Sequence, residues 1–225
     1  MVSAIISSYK RPWNLDKLIP YLKEYKFISE IIILHGHKDY VNYINDCINI
    51  DDWENNKKLY TLCRFNAVSL ASNDTVLLND DDRLPSKPLF YKMLDNHLKD
   101  DNSFCGPLKR KCDCNGYVSN SKIPESNIVL PNISISSKKV YSEVFEKMKS
   151  SKYTELFDRV IKQKGNCEDI FFNKVYTDIY RQNPTIVRYK PLGNKMIINL
   201  DMSGGFQQEE DHYDQRGQFC KDFFT

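Results

Sequence analysis

The 225-residue chain has no run of about 18 consecutive apolar residues, so nothing in it reads as a transmembrane helix. Its start, Met1-Val2-Ser3-Ala4-Ile5-Ile6-Ser7-Ser8, lacks the basic opening and long apolar stretch of a signal peptide. Glycine and proline are scarce, at 8 and 9 residues, which excludes collagen-like and low-complexity architectures. Neither charge sign dominates: 32 Lys+Arg stand against 30 Asp+Glu, net +2, so no extended basic surface for nucleic acid is present. A cysteine framework is missing too. The seven cysteines (Cys47, Cys63, Cys105, Cys112, Cys114, Cys167, Cys220) are odd in number and irregularly spaced, which points to a reducing compartment. The expectation is a soluble, cytoplasmic protein.

With 41% hydrophobic and 28% charged residues, the chain has the balance of a folded domain long enough to bury a core. No repeat or long linker divides it, so residues 1–225 are read as one domain. Val2 to Ser7 is a short apolar, β-branched run that predicts a buried strand. Leu15, Leu18, Ile19, Leu22 and Tyr25 then fall at helical spacing after Asn14, a candidate cap. Ile31 to Leu34 is a second strand. Strand, helix and strand within roughly thirty residues make a βαβ unit and imply a parallel sheet.

The polar stretch from Val41 to Leu59 yields only a short strand near Ile48. Tyr60 to Ala71 reads as a helix feeding a third buried strand at Thr75 to Leu78, which stops on Asn79-Asp80-Asp81-Asp82-Arg83. Residues 103 to 135 read as a small mixed sheet. Lys138 to Lys149 and Tyr153 to Lys164 read as amphipathic helices, and Gly165-Asn166-Cys167-Glu168-Asp169 opens another. The stretch from Gln207 to Phe224 follows Ser203-Gly204-Gly205 and closes the chain.

Ligands of open α/β sheets collect beyond the carboxyl ends of the strands. Asp80, Asp81 and Asp82 stand at such an end, and adjacent carboxylates repel unless a cation sits among them. Hard oxygen donors of this kind suit Mg²⁺ or Mn²⁺, which would meet phosphate oxygens in its remaining positions. A solvated acidic turn is the structural alternative. Ser7, Ser8, Tyr9, Lys10 and Arg11 occupy the equivalent end of the first strand, where hydroxyls and a guanidinium can hold ribose and phosphate. Glu168 and Asp169 suit a helix start electrostatically, with or without catalysis. His212 and Arg216, four residues apart, lie on one helix face. Cys105, Cys112 and Cys114, near His97, lack the paired spacing of a zinc site. Two glycosylation triplets, Asn73-Asp74-Thr75 and Asn132-Ile133-Ser134, are of a kind that recurs by chance.

Taken in order, Ser8-Tyr9-Lys10-Arg11, Asp80-Asp81-Asp82, Asn166-Cys167-Glu168-Asp169-Ile170 and His212-Tyr213-Asp214-Gln215-Arg216 resemble the exostosin-like, family-64 α-N-acetylhexosaminyltransferases. The resemblance spans almost the whole chain and implies an α/β, GT-A fold with a mostly parallel central sheet flanked by helices. Residues 1–100 would form the nucleotide-binding half and 101–225 the acceptor-side half. It implies a UDP-sugar donor, a carbohydrate acceptor, Mn²⁺ or Mg²⁺, and transfer with retention. Ser7, Ser8 and Arg11 would hold uridine and its phosphates, Arg64 the diphosphate, Asp80 and Asp81 the ribose and donor sugar, and Asp82 the metal. Asp169 would lie beside the donor sugar and acceptor hydroxyl, with His212 and Arg216 near the diphosphate. The family pattern also brings Cys167 close to Cys220, bonded only under oxidising conditions. Lys10 replaces a loop asparagine, and Glu168-Asp169 replaces two aspartates. Rival readings are a Mg²⁺-dependent phosphohydrolase, which needs an earlier nucleophilic aspartate, a nucleotidyltransferase, which needs a glycine-rich loop that Ser7 to Pro12 lacks, and a non-catalytic nucleotide- or glycan-binding relative.

Overall fold

β1 (Val2–Ser8) is buried along nearly its whole length, because its apolar, β-branched residues serve both faces of a sheet. A turn through Pro12–Asn14 leads into α1 (Leu15–Lys23), which buries Leu15, Leu18, Ile19 and Leu22. Asn14 makes no cap hydrogen bond; its amide donates instead to the Asp201 carbonyl, 2.9 Å away. β2 (Ile28–His35) completes the βαβ unit, and β3 (Ile48–Asp51) follows. α2 (Trp53–Leu59) buries none of its residues, so it leaves no apolar period in the sequence to read. α3 (Cys63–Asn66), β4 (Thr75–Asp80), β5 (Arg83–Pro85) and α4 (Lys87–His97) come next. The last of these was unassigned from sequence, although Ser86 and an early proline mark its start.

The computed structural model describes residues 1–119, 125–188, 196–203 and 211–223. Its second half supplies β6 (Cys105–Gly106), β7 (Lys109–Asp113), β8 (Gly116–Val118), β9 (Ile128–Val129) and β10 (Ile133–Ser137). Then come α5 (Lys138–Met148), α6 (Thr154–Lys162), α7 (Glu168–Tyr180), β11 (Thr185–Ile186), β12 (Ile197–Asn199) and α8 (His212–Phe223). Of the C-terminal stretch read from sequence, residues 207–210 and 224 lie outside the described residues, as do 204 and 205 before it. The expected mixed sheet over 103–135 divides. β7 pairs antiparallel with β8 and β9 in a separate small sheet, whereas β6 and β10 join the central one.

The central sheet runs β11-β6-β10-β4-β1-β2-β3, and among its described strands β10 alone is antiparallel to the rest. This is the expected α/β, mostly parallel architecture. Alternation along the strands divides the core. Ile5, Ile32, Leu34, Val76 and Leu78 pack with residues of α5 and α7 on one face, while Ala4, Ile6, Ile31, Ile33 and Leu77 pack with residues of α1 and α4 on the other.

The bond expected between Cys167 and Cys220 under oxidising conditions is corrected by the covalent structure: Cys220 of α8 is bonded to Cys112 of β7, and Cys167 is a buried free thiol in the same core cluster. α8 packs on β7 and β8, which brings a strand cysteine to Cys220.

Candidate active site

β1 lies between β2 and β4, so the chain leaves the carboxyl ends of β1 and β4 in different directions and opens a crevice there. Ser7 stands opposite Asp80 in the strand register. The Asp81 N–H donates to the Ser7 carbonyl (3.1 Å), and the Asp80 N–H donates to the Asn132 carbonyl (2.9 Å). Asn79 pins the acidic turn from below, its amide donating to the carbonyls of Asp80 (2.7 Å) and Arg83 (2.9 Å).

Arginines hold the three aspartates. Arg11 reaches Asp81 Oδ1 (2.7 Å) and Asp82 Oδ2 (2.8 Å), Arg64 reaches Asp80 Oδ1 (2.8 Å), and Arg83 Nε lies 3.3 Å from Asp82 Oδ1. The Tyr9 N–H donates to Asp81 Oδ2 (3.1 Å). Burial drives Asp81 up to about 7 against the pull of Arg11, and raises Asp80 against the pull of Arg64. Burial also works against the charge on Arg11 and Arg64, yet the adjoining carboxylates hold both above their ordinary value.

The opposite wall comes from the starts of α7 and α8. Gly165, at φ +85°, lets the chain pass against Thr61; a Cβ there would fall 2.4 Å from Thr61 Oγ1. Asn166 then ties the two helices, donating to the His212 carbonyl (3.1 Å) and Gln215 Oε1 (3.0 Å) while accepting from Arg216 Nη1 (3.1 Å). Arg216 donates from Nη2 to Asp169 Oδ2 and to Tyr117 OH (3.0 Å). Burial opposes its charge, but Asp169 and its other neighbours hold it well above the ordinary arginine range. Glu168 is pushed to about 7 by burial and then by Asp169.

These walls enclose a cavity of about 260 Å³, close to the lower end of the roughly 300–1,000 Å³ usual for small-molecule sites. Ser7, Ser8, Arg11, Arg64, Asp80, Asp82, Asp169, His212 and Arg216 all line it. Asp81, the remaining residue singled out from sequence, sits behind the lining, fully buried under Arg11. Its walls also hold polar atoms with no hydrogen-bond partner: Ser8 Oγ, Asp52 Oδ2, Asn132 Oδ1 and Asp169 Oδ1. Such a concentration of unmet polar groups fits a polar ligand. Sequence reading passed over Arg83, Tyr117 and Asn132 as lining residues. Asn132 lay inside a sequon, and Tyr117 carries no local signal at all.

The residues present fit a divalent cation on one condition. Asp82 Oδ1 makes no hydrogen bond, its nearest charge being Arg83 Nε at 3.3 Å, so a cation would compete with that ion pair for a hard oxygen donor. Among the described residues, however, no group of three His, Cys, Asp or Glu side chains is placed to hold an ion unaided. Any cation at Asp82 therefore needs oxygens that a ligand brings, the usual arrangement for Mg²⁺ at phosphates.

Sheet order and crevice together define an α/β nucleotide-binding architecture of the GT-A type. Residues 2–225 match the Glycosyl transferase family 64 domain, and the chain belongs to that family. It is thus a glycosyltransferase of hexosyltransferase type, using a nucleotide-sugar donor and a sugar acceptor. No curated protein matches it by sequence. Among solved structures, the 2-C-methyl-D-erythritol 4-phosphate cytidylyltransferase (IspD) of Francisella tularensis is 13% identical, with a TM-score of 0.51 over 83% of this chain and 89% of that one. The bifunctional IspDF of Campylobacter jejuni is 15% identical, with a TM-score of 0.47 over 70% of this chain; the chain spans 46% of that protein's length. At such identities the likeness is one of fold alone.

Family membership and the Cys112–Cys220 bridge overturn the cytoplasmic expectation, because such a bond persists in an oxidising compartment. Among the described residues no helix is long and apolar enough to cross a membrane.

Lys10, between two site residues, has φ 60°, a left-handed conformation that asparagine tolerates better than lysine. Lys10→Asn is expected to raise stability by about 0.5–1 kcal/mol while leaving nucleotide binding unchanged. Urea titration with and without nucleotide checks both halves of that statement.

Proposed function

We propose that the chain transfers an N-acetylhexosamine from a UDP-sugar to a glycan acceptor with retention of configuration, residues 1–100 serving the nucleotide and 101–225 the acceptor. The observation that carries this reading is the meeting of Arg11 and Arg64 with Asp80, Asp81 and Asp82 where the ends of β1 and β4 part. A buried guanidinium that turned to a diphosphate would leave an aspartate without its partner, so a cation at Asp82 would be needed to balance the added charge. Ser7 and Ser8 would accept and donate along the ribose and phosphates, with Asp80 toward the ribose and sugar; Asp81, behind the lining with its oxygens engaged by Arg11 and the Tyr9 N–H, would act by holding Arg11. Asp82 would hold Mn²⁺ or Mg²⁺, which when bound supplies positive charge to the diphosphate. Arg216 and His212 would stand by the departing UDP, stabilising the charge that grows on it. Asp169 has Oδ2 taken by Arg216 and Oδ1 without a partner, so Oδ1 is the atom available to orient an incoming hydroxyl.

Calorimetry and UDP-release assays across a panel of nucleotide sugars, with and without Mn²⁺, test the reading on wild type and Asp82→Ala. One UDP-sugar is expected to bind with metal dependence, at least about tenfold more weakly in Asp82→Ala. Absence of binding by every nucleotide sugar in both conditions would sink it.

A further inference from the structure

The Arg216 guanidinium is held on several sides. Asp169 and Asn166 take its Nη atoms from the segment that opens α7. The third partner comes from elsewhere: Tyr117 of β8 accepts from Nη2 at 3.0 Å, and its ring centroid lies 4.3 Å from Arg216 Cζ. β8 belongs to the small sheet, which is fastened to both helices. Asn173 of α7 brackets Val129 of β9, accepting its N–H (2.9 Å) and donating to its carbonyl (2.8 Å). Cys112 of β7 is bonded to Cys220 of α8. Cys220 follows Arg216 by four residues, on the same buried helix face. Where helix and sheet meet, Gly116 adopts φ +120° and faces Gly217. α8 is thus attached to the small sheet at two points one turn apart, covalently at Cys220 and through Tyr117 at Arg216.

Building on the glycosyltransferase reading above, we propose that Tyr117 is a positioning residue for Arg216, and that the Cys112–Cys220 bridge keeps its strand and the helix in the register this requires. The bonds to Asp169 and Asn166 hold the edge of the guanidinium but leave its face unsupported. A ring against its face and a hydroxyl at its edge leave one orientation, the one aimed into the cavity. Small misplacement of such a group costs turnover far more than it costs binding. A dithiol delivers two electrons and two protons to the bridge: the S–S bond breaks, Cys112 and Cys220 become thiols, and the dithiol closes to its own disulfide.

Steady-state kinetics on oxidised protein, with a ¹⁵N spectrum of the Arg216 guanidinium, test this on wild type, Tyr117→Phe and Tyr117→Leu. Tyr117→Phe should lower kcat about fivefold and Tyr117→Leu about thirtyfold or more, with both KM values within about twofold and the Arg216 resonance moved in each. Dithiothreitol should lower kcat of the still-folded wild type, and reoxidation should restore it. Full kcat in Tyr117→Phe, with Tyr117→Leu raising only the acceptor KM, would make Tyr117 an acceptor surface and overturn the proposal. Unchanged turnover after complete reduction would overturn the role of the bridge. If Tyr117→Leu does not fold, Tyr117→Phe, which loses a single oxygen, still decides. Wild type that turns over no nucleotide sugar would count against the functional reading instead, and the Arg216 resonance would still test the geometry.

Discussion

Arg216→Met is expected to lower stability by about 3–5 kcal/mol and transfer by about a thousandfold or more. Asp169 and Arg216 are buried to 2% and 5% exposure, and removing the guanidinium leaves a carboxylate with neither water nor counter-ion. Tyr117 and Asn166 lose a partner in the same step, which adds unmet polar groups to the unpaired charge. The double variant Asp169→Asn/Arg216→Met removes both charges and should recover much of the stability with none of the activity. Urea denaturation of the two singles and the double, beside single-turnover assays, separates these contributions. A double variant no more stable than Arg216→Met would mean that the ion pair does not govern this part of the fold.

Arg11→Ala should cost about 3–5 kcal/mol near pH 8 and considerably less near pH 5. Arg11 pairs with both Asp81 and Asp82, and of the two only Asp82 keeps another arginine within reach. Even with Arg11 present, burial holds Asp81 at about 7, far above its value of 3.8 in an unfolded chain. A carboxyl raised on folding binds its proton more tightly in the native state. Its contribution to stability is therefore full below the unfolded value and is lost as pH rises through about 7. Taking away Arg11 moves Asp81 further up, so the gap between variant and wild type widens with pH. Urea midpoints between about pH 4.5 and 8.5 follow that gap. A gap that narrows toward high pH would show that Arg11 is not what keeps Asp81 charged.

Local chemistry explains what could be read from the chain beforehand. Val2 to Ser7 and Thr75 to Leu78 are apolar runs too short for core helices; the βαβ signal between Val2 and Leu34 places β1 beside β2, whereas the pairing of β1 with β4 has no local signal. Asp80 to Asp82 stood out because a strand rarely ends on three like charges without a reason. The arginines that balance those charges are partly visible: Arg11 stands out at the end of the first strand, Arg64 enters through a family likeness, and Arg83, adjacent in sequence, carries no assigned role. α2 is invisible in the sequence because none of its residues is buried, Leu59 alone packing partly against the core. Tyr117 and the true partner of Cys220 depend on how a three-stranded sheet meets the last helix, which no window of sequence records. Cys167 was a reasonable partner by motif, yet it occupies a left-handed turn and faces the core instead.

The bridge also bears on how the chain reaches this state. Cys112 and Cys220 are 108 positions apart, and closing so long a loop removes about 4–5 kcal/mol of chain entropy from the unfolded ensemble. The bond joins β7 to α8, so it forms only once the chain has been synthesised at least 108 positions beyond Cys112. Until it forms, the small sheet and the Arg216 helix are held together by packing and by the Arg216–Tyr117 contact. A chain produced in a reducing compartment forgoes that share of its stability.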